Sequence, residues 1–372
     1  ALSDHNRDAR DAIVIRMERL GMTVHIDQIG NIIGIRKGKL NSNPVMTGSH
    51  IDTVKSGGKL DGAYGIIAGL EAIETLNELR IETERPLAVT VFTNEEGIRY
   101  QPDMMGSLAY SGGIEIDTCL GTVGKDGSIL GAELKRIGYD GTIACGQIRP
   151  HAFIELHVEQ GPRLYRQQSA IGIVQAVSGI SWFELNIQGT ANHAGTTPLG
   201  DRQDAGLIAA KVICFVRELV QSIGGNQLGT CGVLELEPGN INVIPGKARL
   251  SVDLRNPDNG TLRQAESRFR KFIDTLAEAE KVPIEVNPLV RFDPIAFNPK
   301  LIEMITQTAD RFKFQYEPLV SGAGHDAQMM GRICPAAMIF VPSIDGISHN
   351  IQEQTSPDDL KNGADLLLNC LL

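Results

Sequence analysis

The residues able to do chemistry in this chain are histidines and carboxylates set at glycine-rich junctions. Of the eight histidines, four, at 50, 157, 193 and 349, stand among glycines or acidic residues. His50 and Asp52 form a His-x-Asp pair. At strand spacing both side chains lie on one side of the chain, so the carboxylate can accept from one imidazole nitrogen while the other binds a metal. By itself the pair also fits an ordinary polar turn. Asp61 precedes a helical pattern, where it reads either as a ligand or as a helix N-cap. Glu95 and Glu96 are consecutive carboxylates. One can hold a cation while its neighbour, raised in pKa by the like charge, shuttles a proton; a solvated acidic loop is the plain alternative.

His157 and His349 extend the set. Histidine, aspartate and glutamate together suit zinc, manganese, cobalt or nickel. His50, Asp61, Glu96, His157 and His349 make one ligand too many for a single tetrahedral zinc and enough for two ions sharing a carboxylate. A dinuclear hydrolase needs such a bridge and an open position for water. The glycines at 58, 62, 65 and 69 match neither GxGxxG nor the P-loop pattern, and no GxSxG is present, so nucleotide binding and serine hydrolysis are disfavoured.

The elements that would carry these residues alternate. Residues 6–20 have the periodicity of an amphipathic helix, and 23–35 suit a strand or hairpin. Short apolar runs at 44–48, 87–92, 152–156 and 336–341 each lead into acidic or imidazole side chains, and a helical pattern follows the first. Strands alternating with helices predict an α/β sheet, and open α/β sheets place ligands beyond the carboxyl ends of their strands. Between about 175 and 288 the order changes: strand 182–188, helix 202–223, strands 229–236 and 247–255, helix 262–280 and a short strand 283–286. That is β-α-β-β-α-β, a split βαβ module. The simplest architecture is a two-part catalytic α/β domain (1–176 and 291–372) interrupted by an inserted ferredoxin-like domain (177–290).

Composition sets the outer limits. The 372 residues are 42% hydrophobic and 22% charged, enough for a sizeable core. The net charge of −10 is the wrong sign for tracking phosphates, so nucleic acid is not expected as a partner. No apolar run is long enough to span a membrane. The first ten residues lack an apolar signal segment, and six scattered cysteines fit reduced thiols, which together point to the cytoplasm.

The string 48–69, TNEEG (93–97), ELHVEQGP (155–162), NHAGTTP (192–198), NVIPG (242–246), SGAGHDA (321–327) and PSIDGISHN (342–350) resemble the hydantoinase/carbamoylase amidases, a subgroup of the dinuclear metallo-amidohydrolases. The resemblance runs in order from His50 to the end of the chain. It implies two divalent metal ions per subunit, zinc or else manganese, cobalt or nickel. His50 and His157 would complete one site and Glu96 and His349 the other, with Asp61 bridging. It further implies Glu95 as general base, Asp52 orienting His50, and His193 stabilising an oxyanion from the partner subunit of a homodimer built on the inserted domain. Asn242 would assist His193, Arg255 would hold a substrate carboxylate, and Gln160, Gly324 and His325 would line the substrate. A short segment before Ala1 is also implied. Within the group, the stretch 98–107 looks more like carbamoylases and β-ureidopropionases than allantoate enzymes. The expected reaction is hydrolysis of the linear ureido C–N bond of an N-carbamoyl-L-amino acid to amino acid, carbon dioxide and ammonia. Allantoate amidohydrolase or β-ureidopropionase is the alternative, and aminoacylase or dipeptidase a more distant one. A non-catalytic binding protein on the same scaffold comes last, because candidates for every ligand and for the base are intact.

Overall fold

The computed structural model describes residues 1–372. The chain forms two compact units, Ala1–Val177 with Ala296–Leu372, and Ser178–Ile295. Strands, and helices longer than ten residues, are numbered in chain order.

The first unit opens with α1 (Asp4–Arg19), whose N-terminus is capped by the Ser3 hydroxyl accepting from the Asn6 N–H. β1 (Thr23–Ile26) and β2 (Ile32–Arg36) form an antiparallel hairpin. β3 (Val45–His50), α2 (Ala63–Glu78), β4 (Leu87–Phe92), β5 (Ala152–Val158) and β6 (Ile171–Val177) follow. The sheet order is β1-β2-β4-β3-β5-β16-β6, where β16 is Ala336–Val341. The central strands β4, β3, β5 and β16 are mutually parallel. Every residue of β4, β5 and β16 is buried, which is why these segments read as predominantly apolar runs rather than alternating ones, with Thr90, Glu155 and His157 as their polar exceptions. Their carboxyl ends all point the same way, so the polar residues that follow β3, β4, β5 and β16 gather at one edge of the sheet.

The second unit begins with β7 (Gly179–Gln188) and the two-residue β8 (Asn192–His193). α3 (Ala205–Ile223), β9 (Leu228–Thr230), β10 (Leu234–Glu237), β11 (Val243–Ile244), β12 (Lys247–Asn256), α4 (Asn259–Glu280) and β13 (Ile284–Phe292) complete it. The order β10-β12-β7-β13, antiparallel throughout, is that of a split βαβ sandwich. α3 and α4 bury Val212, Val216, Phe269 and Ile273 against Leu185, Leu250 and Val252 of the sheet.

Two expectations are corrected here. The single strand expected over 229–236 is split, because β12 pairs Asp253 with Thr230 but Leu250 with Leu234, four residues against three, which is a bulge. The last strand runs to Phe292 rather than ending at 286, so the expected boundary at 290/291 falls inside it. Pro288 is accommodated within this strand because it lies at a sheet edge beside a bulge, where the missing N–H costs little.

The chain returns to the first unit through β14 (Ile295–Ala296), α5 (Pro299–Phe312), β15 (Tyr316–Ser321), which pairs with β6, and β16, and it ends in α6 (Pro357–Cys370). No helix is long and apolar enough to cross a membrane.

Candidate metal centre

β3 ends at His50, and its imidazole is 2% exposed. Nδ1 lies 2.8 Å from the main-chain carbonyl of Asp52, so Nδ1 donates there and Nε2 is the nitrogen that faces the site, a lone-pair donor once any proton on it is displaced. His157, the sixth residue of β5, repeats the device with the Val158 carbonyl at 2.9 Å. Both Nε2 atoms face one oxygen of Asp61: Oδ1 is 3.6 Å from His50 and 3.2 Å from His157. The other oxygen, Oδ2, is 3.2 Å from His349 Nε2, which is in turn 3.6 Å from Glu96 Oε2. Asp61 therefore serves two donor sets, His50/His157 and Glu96/His349, one with each oxygen.

The ligand atoms of His50, Asp61 and His157 lie within 4.8 Å of one another, and so do those of Asp61, Glu96 and His349. With the imidazole tautomers already fixed by carbonyls, the donors fit two divalent ions sharing a carboxylate. Burial works against ionisation of Asp61, but the imidazoles of His157 and His349 outweigh it and hold the carboxyl far below its usual range. The N-cap reading of Asp61 fails: the cap of α2 is Gly62, without a side-chain cap bond. Gly62 has φ +66°, and a Cβ there would run into the His50 ring, so the residue after the shared carboxylate must be glycine.

Glu95 is 8% exposed, with Oε2 3.4 Å from His50 Nε2. Burial, with the negative neighbours Asp326, Glu96, Asp52 and Asp61, holds its carboxyl well above the usual carboxylate range. A carboxyl so placed is suited to passing a proton. Burial likewise raises Glu96, although His50 opposes it.

The structure reassigns Asp52. Its carboxylate does not touch the His50 ring; instead Oδ1 accepts from the Glu95 N–H (3.2 Å) and Oδ2 from the Glu96 N–H (3.3 Å). β3 stops at His50, so strand alternation does not extend to residue 52 and the expected side-chain pairing is lost. Asp52 thus fixes both glutamates through their backbone while its own carbonyl orients His50.

Behind the ligands lies a second layer of buried polar groups. Glu155 accepts from the Ser49 hydroxyl (2.7 Å) and the Ala327 N–H (2.7 Å). Burial and Glu155 push the neighbouring Asp326 up to about 8. Arg10 of α1, 1% exposed, donates to Thr93 Oγ1 (3.0 Å) and to the Gly30 carbonyl (2.6 Å), and Asn31 Oδ1 accepts from the Thr93 N–H (2.9 Å). Sequence reasoning did not single out Arg10, Asn31 or Glu155. A glutamate inside the apolar strand AFIELHV was the one available signal. Three non-glycine residues of the centre, Asn94, Gln160 and the candidate ligand His349, have φ of +56°, +58° and +52°, conformations of roughly 1–3 kcal/mol strain each that the packing holds in place.

The expected substrate residues fall in both units. In the first, Gln160 Nε2 donates to Asp61 Oδ2 (3.2 Å) at the open side of the centre. His325 is buried, 3.1 Å from Ser321 Oγ and edge-on to His157 at 4.7 Å between ring centroids. The accessible part of its segment is the backbone from Gly322 to Gly324. Burial and His157 keep the His325 imidazole neutral.

In the second unit, the pairing of β8 with β11 brings His193 opposite Val243, and the Ala194 N–H donates to the Asn242 carbonyl (3.0 Å), so His193 and Asn242 are neighbours. His193 Nδ1 accepts from the N–H groups of Gly195 (3.0 Å) and Thr196 (3.2 Å). Its proton is therefore on Nε2, an exposed N–H donor of the kind an oxyanion needs. Arg255, on β12, donates from Nε and a terminal nitrogen to Asp253 two residues away, at 2.9–3.1 Å.

Comparison with known proteins shows the family. The model of peptidase family M20/M25/M40 matches residues 46–372. The chain belongs to that family. Among its relatives, an N-carbamoyl-L-amino-acid amidohydrolase of Rhizobium meliloti is 35% identical, over 100% of this chain and 89% of the relative. An allantoate amidohydrolase of Escherichia coli (strain K12) is 32% identical, over 95% and 86%. The crystal structure of a hydantoinase/carbamoylase family amidase from Burkholderia multivorans superposes with a TM-score of 0.93 at 38% identity, covering 100% of this chain and 91% of that one. The M20/M25/M40 family is metal-dependent, and this member is an enzyme acting on linear amides.

Proposed function

We propose that the protein hydrolyses the linear ureido C–N bond of N-carbamoyl-L-amino acids, giving the amino acid, carbon dioxide and ammonia, as a cytoplasmic homodimer with two divalent ions per subunit. The observation that carries the reading is the division of Asp61 between two donor sets beside a buried carboxyl, Glu95, that belongs to neither. The names of the relatives and the carbamoylase-like stretch 98–107 support the ureido substrate.

His50, His157 and Asp61 would hold one ion and Asp61, Glu96 and His349 the other. Ions held there would supply a lowered water pKa, toward ~7, and polarisation of the ureido carbonyl, each effect worth several kcal/mol of barrier. Glu95 takes a proton from the attacking water and returns it to the leaving nitrogen as the C–N bond breaks; the resulting carbamic acid loses carbon dioxide. Asp52 keeps Glu95 and Glu96 in register throughout. The His193 Nε2–H, assisted by Asn242 and supplied by the second subunit, stabilises the negative charge that develops on the carbonyl oxygen. Arg255 pairs with the substrate carboxylate, a task suited to a planar guanidinium. Gln160 and the Gly322–Gly324 segment line the amide end, with the buried His325 behind them.

A dimer built on the second unit is supported by β10, an edge strand whose four residues are all exposed, Leu234 and Leu236 among them. Such an edge is a template for pairing with another chain.

The test is release of ammonia and, in parallel, of free primary amine by metal-reconstituted protein from N-carbamoyl-L-amino acids, N-carbamoyl-β-alanine, allantoate and N-acetyl amino acids, with a chelated control; an acyl amino acid would give the amine without ammonia. Metal-dependent release from the N-carbamoyl-L-amino acids is expected. Turnover of allantoate or an acyl amino acid alone would overturn the substrate while keeping the site.

A further inference from the structure

Glu353 lies in the turn before α6 and is 2% exposed. Both of its carboxylate oxygens are occupied by the two loops that carry Asp61 and His349. Oε1 accepts from the main-chain N–H of Asp61 (3.1 Å) and of Leu60 (3.2 Å). Oε2 accepts from the hydroxyl of Ser348 (2.9 Å), the residue immediately before His349. One buried side chain thus joins segments almost three hundred residues apart, and each segment ends in a candidate ligand of the Glu96/His349 set.

Two further observations show why this junction needs an anchor. His50 and His157 each have a carbonyl on Nδ1 to fix the ring, but the bonds of the His349 ring are made at Nε2, and this ring is half exposed. His349 also sits at φ +52°, a conformation that costs a non-glycine residue energy and must be imposed from outside. The Ser348–Glu353 bond imposes it from the preceding residue. On the other side, the glycine-rich loop 57–62 makes room: a Cβ on Gly58 would overlap the Glu353 carboxylate, so glycine there lets the side chain reach the Asp61 backbone.

We propose that Glu353 is a positioning residue for the metal centre: its carboxylate, through hydrogen bonds to Leu60, Asp61 and Ser348, sets the geometry of the shared ligand Asp61 against His349. The proposal rests on the metal-site reading above. It assigns a role to a residue that touches neither ion nor substrate, and it explains Gly58 without recourse to nucleotide binding.

The test is a titration of metal-free full-length protein with Co2+, followed by calorimetry and by the visible absorption of the bound ion, on wild type, Glu353→Ala, Glu353→Gln and Ser348→Ala. Wild type is expected to take up two ions. Loss of an outer partner of a ligand typically costs 10- to 100-fold in metal affinity, and Glu353→Ala is expected to lose that much, with an altered cobalt spectrum. Glu353→Gln keeps an acceptor oxygen for the Leu60 and Asp61 N–H groups and an amide that can donate to Ser348, so most of the affinity should return. Ser348→Ala, a small change that spares folding, should weaken one ion and leave the other. Affinities and spectrum unchanged in Glu353→Ala, equal loss in the Ala and Gln variants, or no effect of Ser348→Ala would each overturn the proposal. If Glu353→Ala does not fold, the Gln and Ser348 variants still decide it. Failure of wild type itself to bind Co2+ would instead overturn the metal-site reading.

Discussion

Replacing Glu95 with glutamine should separate the two demands made on that side chain. In the metal-free protein the carboxyl is buried and surrounded by Asp326, Glu96, Asp52 and Asp61, and the one imidazole close to it, His50 at 3.4 Å, also serves Asp61 at 3.6 Å. Its pKa in the folded protein is therefore well above the ordinary value of 4.5. A group raised on folding contributes stability that is fully present below its unfolded pKa and is lost as pH rises through the folded one. Glutamine has nearly the same shape and does not titrate. The stability of Glu95→Gln relative to wild type should then grow with pH as it rises above the unfolded carboxyl's ordinary range, at up to about 1.4 kcal/mol per pH unit, until the folded carboxyl has itself ionised. Urea unfolding of chelated protein across this range measures it. With metal restored, the variant should keep wild-type metal content and lose about 10²- to 10⁴-fold in turnover, the usual contribution of a positioned base. Parallel pH–stability profiles for the two proteins, or a metal-loaded variant within tenfold of wild-type activity, would refute the argument.

Three other outcomes are expected. Arg10→Met leaves the Gly30 carbonyl and Thr93 Oγ1 without their buried donor, and should destabilise the first unit by roughly 3–5 kcal/mol in urea unfolding and lower kcat more than it changes KM, because Thr93 leads directly to Glu95. In metal-free protein burial lowers the His157 pKa but Asp61 more than compensates, raising it to about 9, so metal binding near neutral pH must displace this proton: affinity should fall about tenfold per pH unit on acidification, and calorimetry in buffers of different ionisation enthalpy should report the released proton. Mixing inactive Glu95→Gln subunits with inactive His193→Ala subunits should restore partial activity if His193 acts across a dimer, and no recovery despite demonstrated subunit exchange would count against a shared site.

The candidate ligands stand out in the sequence because sheet geometry places them at the ends of buried strands. Buried parallel strands read as largely apolar runs, their carboxyl ends face one edge, and His50, the Glu95–Glu96 pair and His157 stand at or just beyond those ends. The inserted unit was legible for a similar reason: its strand and helix periods alternate in an order that a single split βαβ module satisfies. Legibility failed where a role depends on how a strand ends or on pairing across long separations. Asp52 was expected to turn its carboxylate to His50, which requires the strand to continue two residues further than it does; with β3 ending at His50, the carboxylate meets the backbone of the glutamates instead. Thr93 is held by Arg10 from 83 residues away, and Asp61 by Glu353 from 292 residues away, in both cases through hydrogen bonds that leave no periodic trace. A ligand has to be histidine, aspartate or glutamate, so its chemistry marks it in the chain. A residue that orients a ligand needs only one donor or acceptor at the right point in space, which many residue types supply. The outer layer of the centre had therefore to be read from the fold.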